Sequence, residues 1–227
     1  MRYRLHYAPD NASLVIRLAM DEIGARYETV LVDRAARAQK SSAYLGLNPA
    51  GLIPALETPE GVLFETGAIL LWLADRHGQG APAPAAPDRG DFLKWLFHLS
   101  NTLHPTLRMS FYPEQYLDHS AGALCAAAQA RFAGQLDILE GRAAPWFGAG
   151  CPSVLDPYLA CLMRWRALYP ARAATGDYDP RRWPRLFALL TRMENRPATH
   201  AAIAAEGLGP RPFTAPVYPD PPEGSAL

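Results

Sequence analysis

Apolar and polar residues alternate from Arg2 to Ala8, with Tyr3, Leu5 and Tyr7 on one side. That period of two predicts a strand. Pro9-Asp10-Asn11 breaks it. From Ser13 the period lengthens: Leu14, Leu18, Ala19 and Ile23 recur at helical spacing and stop at Gly24. Tyr27 to Val32 is rich in β formers and predicts a second strand. Ala35 to Leu47 reads as a short, weakly amphipathic helix or a loop. Ala55 to Thr58 and Val62 to Phe64 flank Pro59-Glu60-Gly61, the signature of a hairpin. Thr66 to His77 is a strongly apolar helix closed by Gly78. The order is βαβαββα over residues 1–78.

The pattern then changes. Residues 79–88 are rich in Gly, Ala and Pro with no apolar period, and they predict a linker. Residues 89–207 read as a helical domain. Phe92, Trp95, Leu96, Leu99 and Leu103 form one face of a long helix that His104-Pro105 is expected to break. Leu124 to Leu139, Leu155 to Tyr169 and Trp183 to Met193 give three more. Ser153 and Asp156 match a capping pattern, read here as a folding device. The stripe Trp95, Leu99 and Leu103 is expected to be core. Residues 208–227 are Pro-rich and are expected to be disordered or laid over the surface as extended chain.

Charge narrows the function. Lys+Arg and Asp+Glu each number 22, so the chain is neutral overall. That balance argues against nucleic-acid or anionic-membrane partners but leaves room for a small anionic ligand held by a few groups. The apolar run Ala68 to Ala74 is too short to span a bilayer. The start Met1-Arg2-Tyr3-Arg4 has no apolar run behind it, so no secretory signal is read. Cys125, Cys151 and Cys161 form no CxxC and are read as reduced thiols of a cytoplasmic protein, with no metal site.

Three local patterns converge. They are Asn48-Pro-Ala-Gly-Leu-Ile-Pro54 before a strand, Phe64-Glu65-Thr66 opening a helix, and Ser153-Val-Leu-Asp156 opening another. Their order and spacing resemble glutathione S-transferases over about residues 1–207. The bacterial beta class is the nearest likeness: Tyr7-Ala8-Pro9 and Ala12-Ser13-Leu14 fall where that class has Tyr-x-Pro and Cys-Ser-Leu. His104 falls where it has an active-site histidine. The departure is Ala12, where that class has its reactive cysteine. The resemblance implies a thioredoxin-like N-terminal domain followed by an all-helical C-terminal domain.

The resemblance also implies site roles. Ile53-Pro54 should be cis, so that the Ile53 backbone pairs with the cysteinyl part of glutathione in the manner of strand addition. Thr66 and its helix start suit the γ-glutamyl carboxylate, and Glu65 suits the ammonium. Arg34, Arg37 and Lys40 are candidates for the glycine carboxylate, Lys40 foremost. Each has an ordinary alternative as a cap, a turn or a solvated charge. A thiol with a pKa of about 8.5 must be lowered by about two units to react freely at neutral pH, which takes roughly 2.7 kcal/mol. Ser13, aided by Asn11, is the first candidate for that task, and Tyr7 the next. His104, Met109, Phe111, Tyr112 and Tyr116 are expected to line an electrophile pocket between the domains.

The expected function is conjugation of glutathione, as co-substrate, to a small hydrophobic electrophile, by a homodimer that needs no metal. The homodimer expectation rests on the family and on helix Thr66–His77, which is apolar nearly all round. Two alternatives stay open: a glutathione-dependent peroxidase, and a non-catalytic binding or interaction protein of the same fold that lost its activator.

Overall fold

Residues 3–142, 147, 151–170 and 178–220 are described by a computed structural model. The N-terminal part is a four-stranded sheet with the order β2-β1-β3-β4. β1 (Tyr3–Tyr7) pairs parallel with β2 (Tyr27–Leu31), and the crossover is α1 (Ser13–Glu22). β3 (Ala55–Thr58) runs antiparallel to β1, and β4 (Gly61–Phe64) antiparallel to β3. Helix α3 (Thr66–His77) follows. This is the βαβαββα order that the periodicity predicts, in the thioredoxin-like arrangement that the resemblance implies.

The alternation in β1 sorts its side chains. Tyr3 and Leu5 are buried in the main core with α1 and α3. On the opposite face His6 packs edge-on to Tyr44 and meets Glu57 Oε1 at 2.7 Å. Gly24 and Gly78 both take positive φ, 66° and 63°, and end their helices as read from the sequence. The ambiguous segment after β2 is a 3-10 turn at Ala38–Lys40 and then the four-residue α2 (Ser42–Leu45), capped where Ser41 Oγ accepts from the Tyr44 N–H.

The second part is all helical. It comprises α4 (Arg89–His98), α5 (His104–Phe111), α6 (Ala121–Arg142), α7 (Leu155–Leu168), α8 (Pro184–Glu194) and α9 (Pro197–Glu206). Helices α4 and α5 are continuous through a π turn at Leu99–Leu103. The expected break at His104-Pro105 does not occur. Proline has no N–H to donate, and the wider turn just before it absorbs the change of register. The Ser153–Asp156 cap is present: the Ser153 N–H donates to Asp156 Oδ2 at 2.8 Å. Helix α9 lacks a strong apolar stripe, since alanine fills much of it, and the sequence pattern does not single it out.

Helix α7 is buried on nearly every side and forms the centre of the helical part. Arg164 lies within it, fully buried. Its guanidinium holds both carboxylate oxygens of Asp10, Nε to Oδ1 at 2.8 Å and Nη2 to Oδ2 at 3.0 Å. The remaining N–H groups donate to the carbonyls of Leu208, Pro212 and Val217. Trp165 Nε1 and the Tyr169 hydroxyl complete the Asp10 carboxylate, each at 2.8 Å. The Pro-rich segment through Asp220 is therefore tied to the interior, and Phe213 is only 1% exposed. Of the two expectations for the tail, disorder does not hold for these residues, while Val217 and Tyr218, 50% and 43% exposed, lie at the surface. Residues 221–227 lie outside the described ones.

Removing one partner of a buried ion pair strands the other, at a cost of about 3–5 kcal/mol. Arg164→Ala is expected to lose that much stability in denaturant unfolding. The double variant Asp10→Ala, Arg164→Met should lose clearly less than Arg164→Ala alone. A loss below about 1 kcal/mol for Arg164→Ala would show that the pair does not hold the two parts together.

Candidate functional site

Three segments converge on one cavity of about 560 Å³ between the sheet part and the helices. The first is the turn after β1, which brings Asp10, Asn11 and Ala12 to the cavity wall. The second runs from Gln39 to Pro54. The third is the start of α3. The helical wall comes from the π turn and α5, with Tyr158 and Trp165 of α7 behind.

The loop before β3 is held from within. Leu52 carbonyl oxygen accepts from Asn48 Nδ2 at 2.7 Å and from the Tyr44 hydroxyl at 2.8 Å. Lys40 Nζ reaches Ala50 carbonyl at 3.2 Å. Gly51 has φ 61°, and a Cβ there would stand 2.9 Å from the Gln39 backbone carbonyl oxygen, so the loop requires glycine. The Ile53–Pro54 bond is cis, as the motif led us to expect. Ile53, Pro54 and Lys40 all line the cavity.

Helix α3 begins at the cavity without a side-chain cap. Its first N–H groups have no intrahelical partner, and the helix dipole adds positive potential there. Thr66 and Gly67 form this lip, and Glu65 stands before them with φ 70°, ψ 115°. A non-glycine residue held there is strained, and such strain clusters at functional sites. Gly67 allows close approach of the helical wall, since a Cβ on it would sit 3.1 Å from Ser100 Cβ.

On the helical side, His104 Nδ1 lies 2.9 Å from the Tyr158 hydroxyl, and its ring packs against Trp165 with centroids 5.8 Å apart. Arg108 lies over the Tyr112 ring at 5.4 Å and donates to Gln115 Oε1 at 3.1 Å. Arg34 Nη2 reaches the Tyr112 hydroxyl at 3.5 Å, bridging the two walls.

The structure thus brings together Asn11, Arg34, Lys40, Ile53, Pro54, Glu65, Thr66, His104, Phe111 and Tyr112. It does not bring Ser13, Tyr7, Arg37, Met109 or Tyr116 to the cavity. Ser13 is fully buried, and its hydroxyl clasps Ala8: Oγ donates to the Ala8 carbonyl at 3.2 Å and accepts from the Ala8 N–H at 3.3 Å. It locks the strand end to the helix start and has no free access to a ligand. Tyr7 lies under the Arg17 guanidinium, 4.8 Å away. Tyr116 is 43% exposed. Met109 lies on α5 away from the cavity wall, and Tyr116 lies beyond that helix, after a 3-10 turn at Pro113–Gln115. Sequence reasoning missed Asp10, Tyr158 and Trp165. The only signals for them were polar or aromatic side chains in segments already explained as a turn and a core helix.

Among the described residues there is no group of three or more His, Cys, Asp or Glu placed to hold a metal ion. Nor is any helix among them long and apolar enough to cross a membrane.

Comparison with known proteins finds relatives that span most of the chain. The family profile described as Glutathione S-transferase, N-terminal domain matches residues 1–75. The chain is 33% identical to a sphingomonad glutathione S-transferase solved in complex with glutathione; the match covers 91% of this chain and all of that one, with a TM-score of 0.73. A beta class glutathione S-transferase of Sphingomonas chungbukensis is 30% identical over 90% of this chain and 98% of its own, with a TM-score of 0.72. Glutathione S-transferase GST-4.5 of Xanthomonas campestris is 29% identical over 90% of this chain and 99% of its own.

Burial pushes the His104 imidazole down to about 4, and the Arg108 charge adds to the shift. The ring is therefore expected to stay neutral across the neutral range, observable as an imidazole resonance that does not titrate above about pH 5. The unfolded chain, with an ordinary histidine near 6.5, binds the extra proton first. Stability from this group is thus present above about pH 6.5 and is lost as the pH falls toward about 4. A His104→Asn variant should lack that part of the pH slope in denaturant unfolding. An identical slope in both proteins would show that His104 is not held neutral.

Proposed function

This chain belongs to the glutathione S-transferase family, and on that premise we propose that it binds glutathione in the described cavity, favours its thiolate and conjugates it to an electrophilic carbon. The observation that carries the reading is the uncapped start of α3, with Glu65 before it, opening onto the same cavity as Ile53 and Lys40. Glutathione carries two carboxylates and one ammonium. The α3 N–H groups and Thr66 suit the γ-glutamyl carboxylate, Glu65 the ammonium, the Ile53 backbone the cysteinyl unit and Lys40 the glycine carboxylate.

The thiolate end falls to Asn11. It lines the cavity from the β1–α1 turn, where the other polar side chain, Asp10, is held by Arg164, and its Oδ1 already accepts from the Ala12 N–H at 2.9 Å. With Oδ1 so engaged, the Nδ2 donor is the part of the amide suited to a thiolate. The N-terminus of α1 adds favourable potential. A second reading is binding without turnover. The observation behind it is Ala12, an apolar methyl on the cavity wall beside Asn11. Turnover of a chromogenic electrophile by protein that is retained on immobilised glutathione supports the transferase. Retention without turnover of any electrophile or peroxide supports the binding protein.

The reading includes a homodimer. Ile69, Leu70 and Leu73 of α3 are covered within the chain, but Leu71 and Trp72 are only half-buried and suit a partner surface. Sedimentation is expected to give twice the 24.8 kDa chain mass.

Thr66→Ala removes one charge-assisted bond, worth about 1.5–3 kcal/mol. The Michaelis constant for glutathione should rise roughly ten-fold or more, with the maximal rate less affected. An unchanged constant would place the ligand elsewhere.

Asn11→Ala should raise the thiol pKa of bound glutathione by roughly one unit, read from thiolate ultraviolet absorbance against pH. Ser13→Ala should leave that titration in place and lower stability instead, since its hydroxyl serves Ala8. If Asn11→Ala leaves the titration unmoved while Tyr7→Phe shifts it, tyrosine is the activator.

A further inference from the structure

We propose that Tyr158 is a positioning residue for this site: its hydroxyl donates to Nδ1 of His104, which fixes the imidazole proton on Nε2 and offers that N–H to the cavity as an uncharged donor for the glutathione sulfur. The identity of the acceptor rests on the proposed glutathione reading; the tautomer does not.

A buried hydroxyl needs an acceptor for its proton. Tyr158 is 1% exposed on α7, and its oxygen has one hydrogen-bond partner among the described residues, His104 Nδ1 at 2.9 Å. Burial pushes the phenol up from its usual value, and the Glu65 and Cys161 charges add to the shift, so it keeps that proton. His104 is neutral, so one ring nitrogen is bare and the other protonated. If Nδ1 carried the proton, it would donate to the Tyr158 oxygen, and the Tyr158 proton would be left without an acceptor. If Nδ1 is bare, the hydroxyl donates to it and both groups are satisfied. The hydrogen bond at one ring nitrogen thus settles the state of the other.

The proton on Nε2 then has an open side. Nε2 bonds none of the described residues and is not sealed from water, and the ring lines the cavity. The ring is held on two sides. It meets Tyr158 edge-on at 84° and Trp165 at 35°, with centroids 5.8 Å apart in both pairs. Trp165 is fixed in turn, since its Nε1 donates to Asp10 Oδ1 at 2.8 Å. Asp10 precedes Asn11, so the histidine stands close to the turn that carries the proposed thiolate donor. A second donor there, on the helical wall, suits an anionic sulfur and adds no charge of its own. Packing alone accounts for the Tyr158 ring, which phenylalanine could replace in a core helix. It does not account for a hydroxyl buried against a cavity histidine.

The tautomer is read without ligand. With nitrogen-labelled histidine, magnetic resonance separates a bare ring nitrogen from a protonated one, and the His104→Asn spectrum assigns the signal. His104 is expected to show Nδ1 bare and Nε2 protonated. A protonated Nδ1 would overturn the proposal. With glutathione bound, the thiol pKa is read from thiolate ultraviolet absorbance. An Asn side chain puts its amide nitrogen near where Nδ1 stood, and Gln puts it near where Nε2 stood. His104→Asn is expected to raise that pKa by roughly one unit, about a ten-fold change in ionisation, and His104→Gln by clearly less. Tyr158→Phe keeps the ring and should also raise it, but not in the His104→Asn background. An equal rise from Tyr158→Phe in both backgrounds would show that it does not act through His104, and the proposal would fall. Retention on immobilised glutathione checks that each variant folds. If wild-type protein is not retained, the glutathione reading and the sulfur-donor role fail together. If it is retained and Nδ1 is the protonated nitrogen, only this inference fails.

Discussion

The Asp10–Arg164 pair is the constraint on which the cavity depends. Both side chains are wholly out of water, and a buried charge that lacks its partners is costly. Here the accounting closes. All five guanidinium N–H groups have acceptors, two on Asp10 and three on the carbonyls of Leu208, Pro212 and Val217. Each Asp10 oxygen has two donors. Such a network specifies one arrangement of the β1–α1 turn against α7, because any shift leaves a charged group unmatched. Asp10 also takes a positive φ of 50°, which an aspartate tolerates better than a bulky residue, and this sets the turn that carries Asn11 and Ala12.

The network extends further. The Asp10 N–H donates to Glu206 Oε2 at 2.9 Å, and Arg17 Nε holds the other oxygen at 2.6 Å. One polar chain therefore joins α1, the β1–α1 turn, α7, α9 and the C-terminal segment. Its position behind the cavity has an electrostatic consequence. The one carboxylate of the turn is spent on the interior, so the cavity wall keeps a positive balance. The two walls then differ in kind. The sheet side presents backbone N–H groups and fixed charges from short loops. The helical side presents rings, with a neutral histidine between them.

The local elements were legible because each rests on a short-range pattern. β1 shows period two, α1 and α3 end on glycines that take positive φ, and the β3–β4 hairpin turns at Pro59-Glu60-Gly61. The motif residues Ile53, Glu65 and Thr66 were legible too, since a loop proline and a helix start are properties of adjacent residues. Ser13 was misread for the same reason. Its position at the helix start suits a ligand donor and an internal clasp equally, and only the proximity of the Ala8 backbone decides between them.

The sequence by itself determined the order of strands and helices, the change from mixed to helical structure and the lip of the cavity at α3. These follow from periodicity, capping and backbone preference within a few residues. The tertiary structure alone decided which side chains of the β1–α1 turn face the cavity. It decided that α5 continues through Pro105, and that Tyr112 lines the cavity while Tyr116 is exposed. It also decided that Arg164, buried in an apolar helix, meets a turn more than 150 residues earlier in the chain. Partners so far apart in sequence leave no local pattern. Their pairing is set by the cost of burying a charge without its counterpart, and that cost exists only once the two parts have packed together.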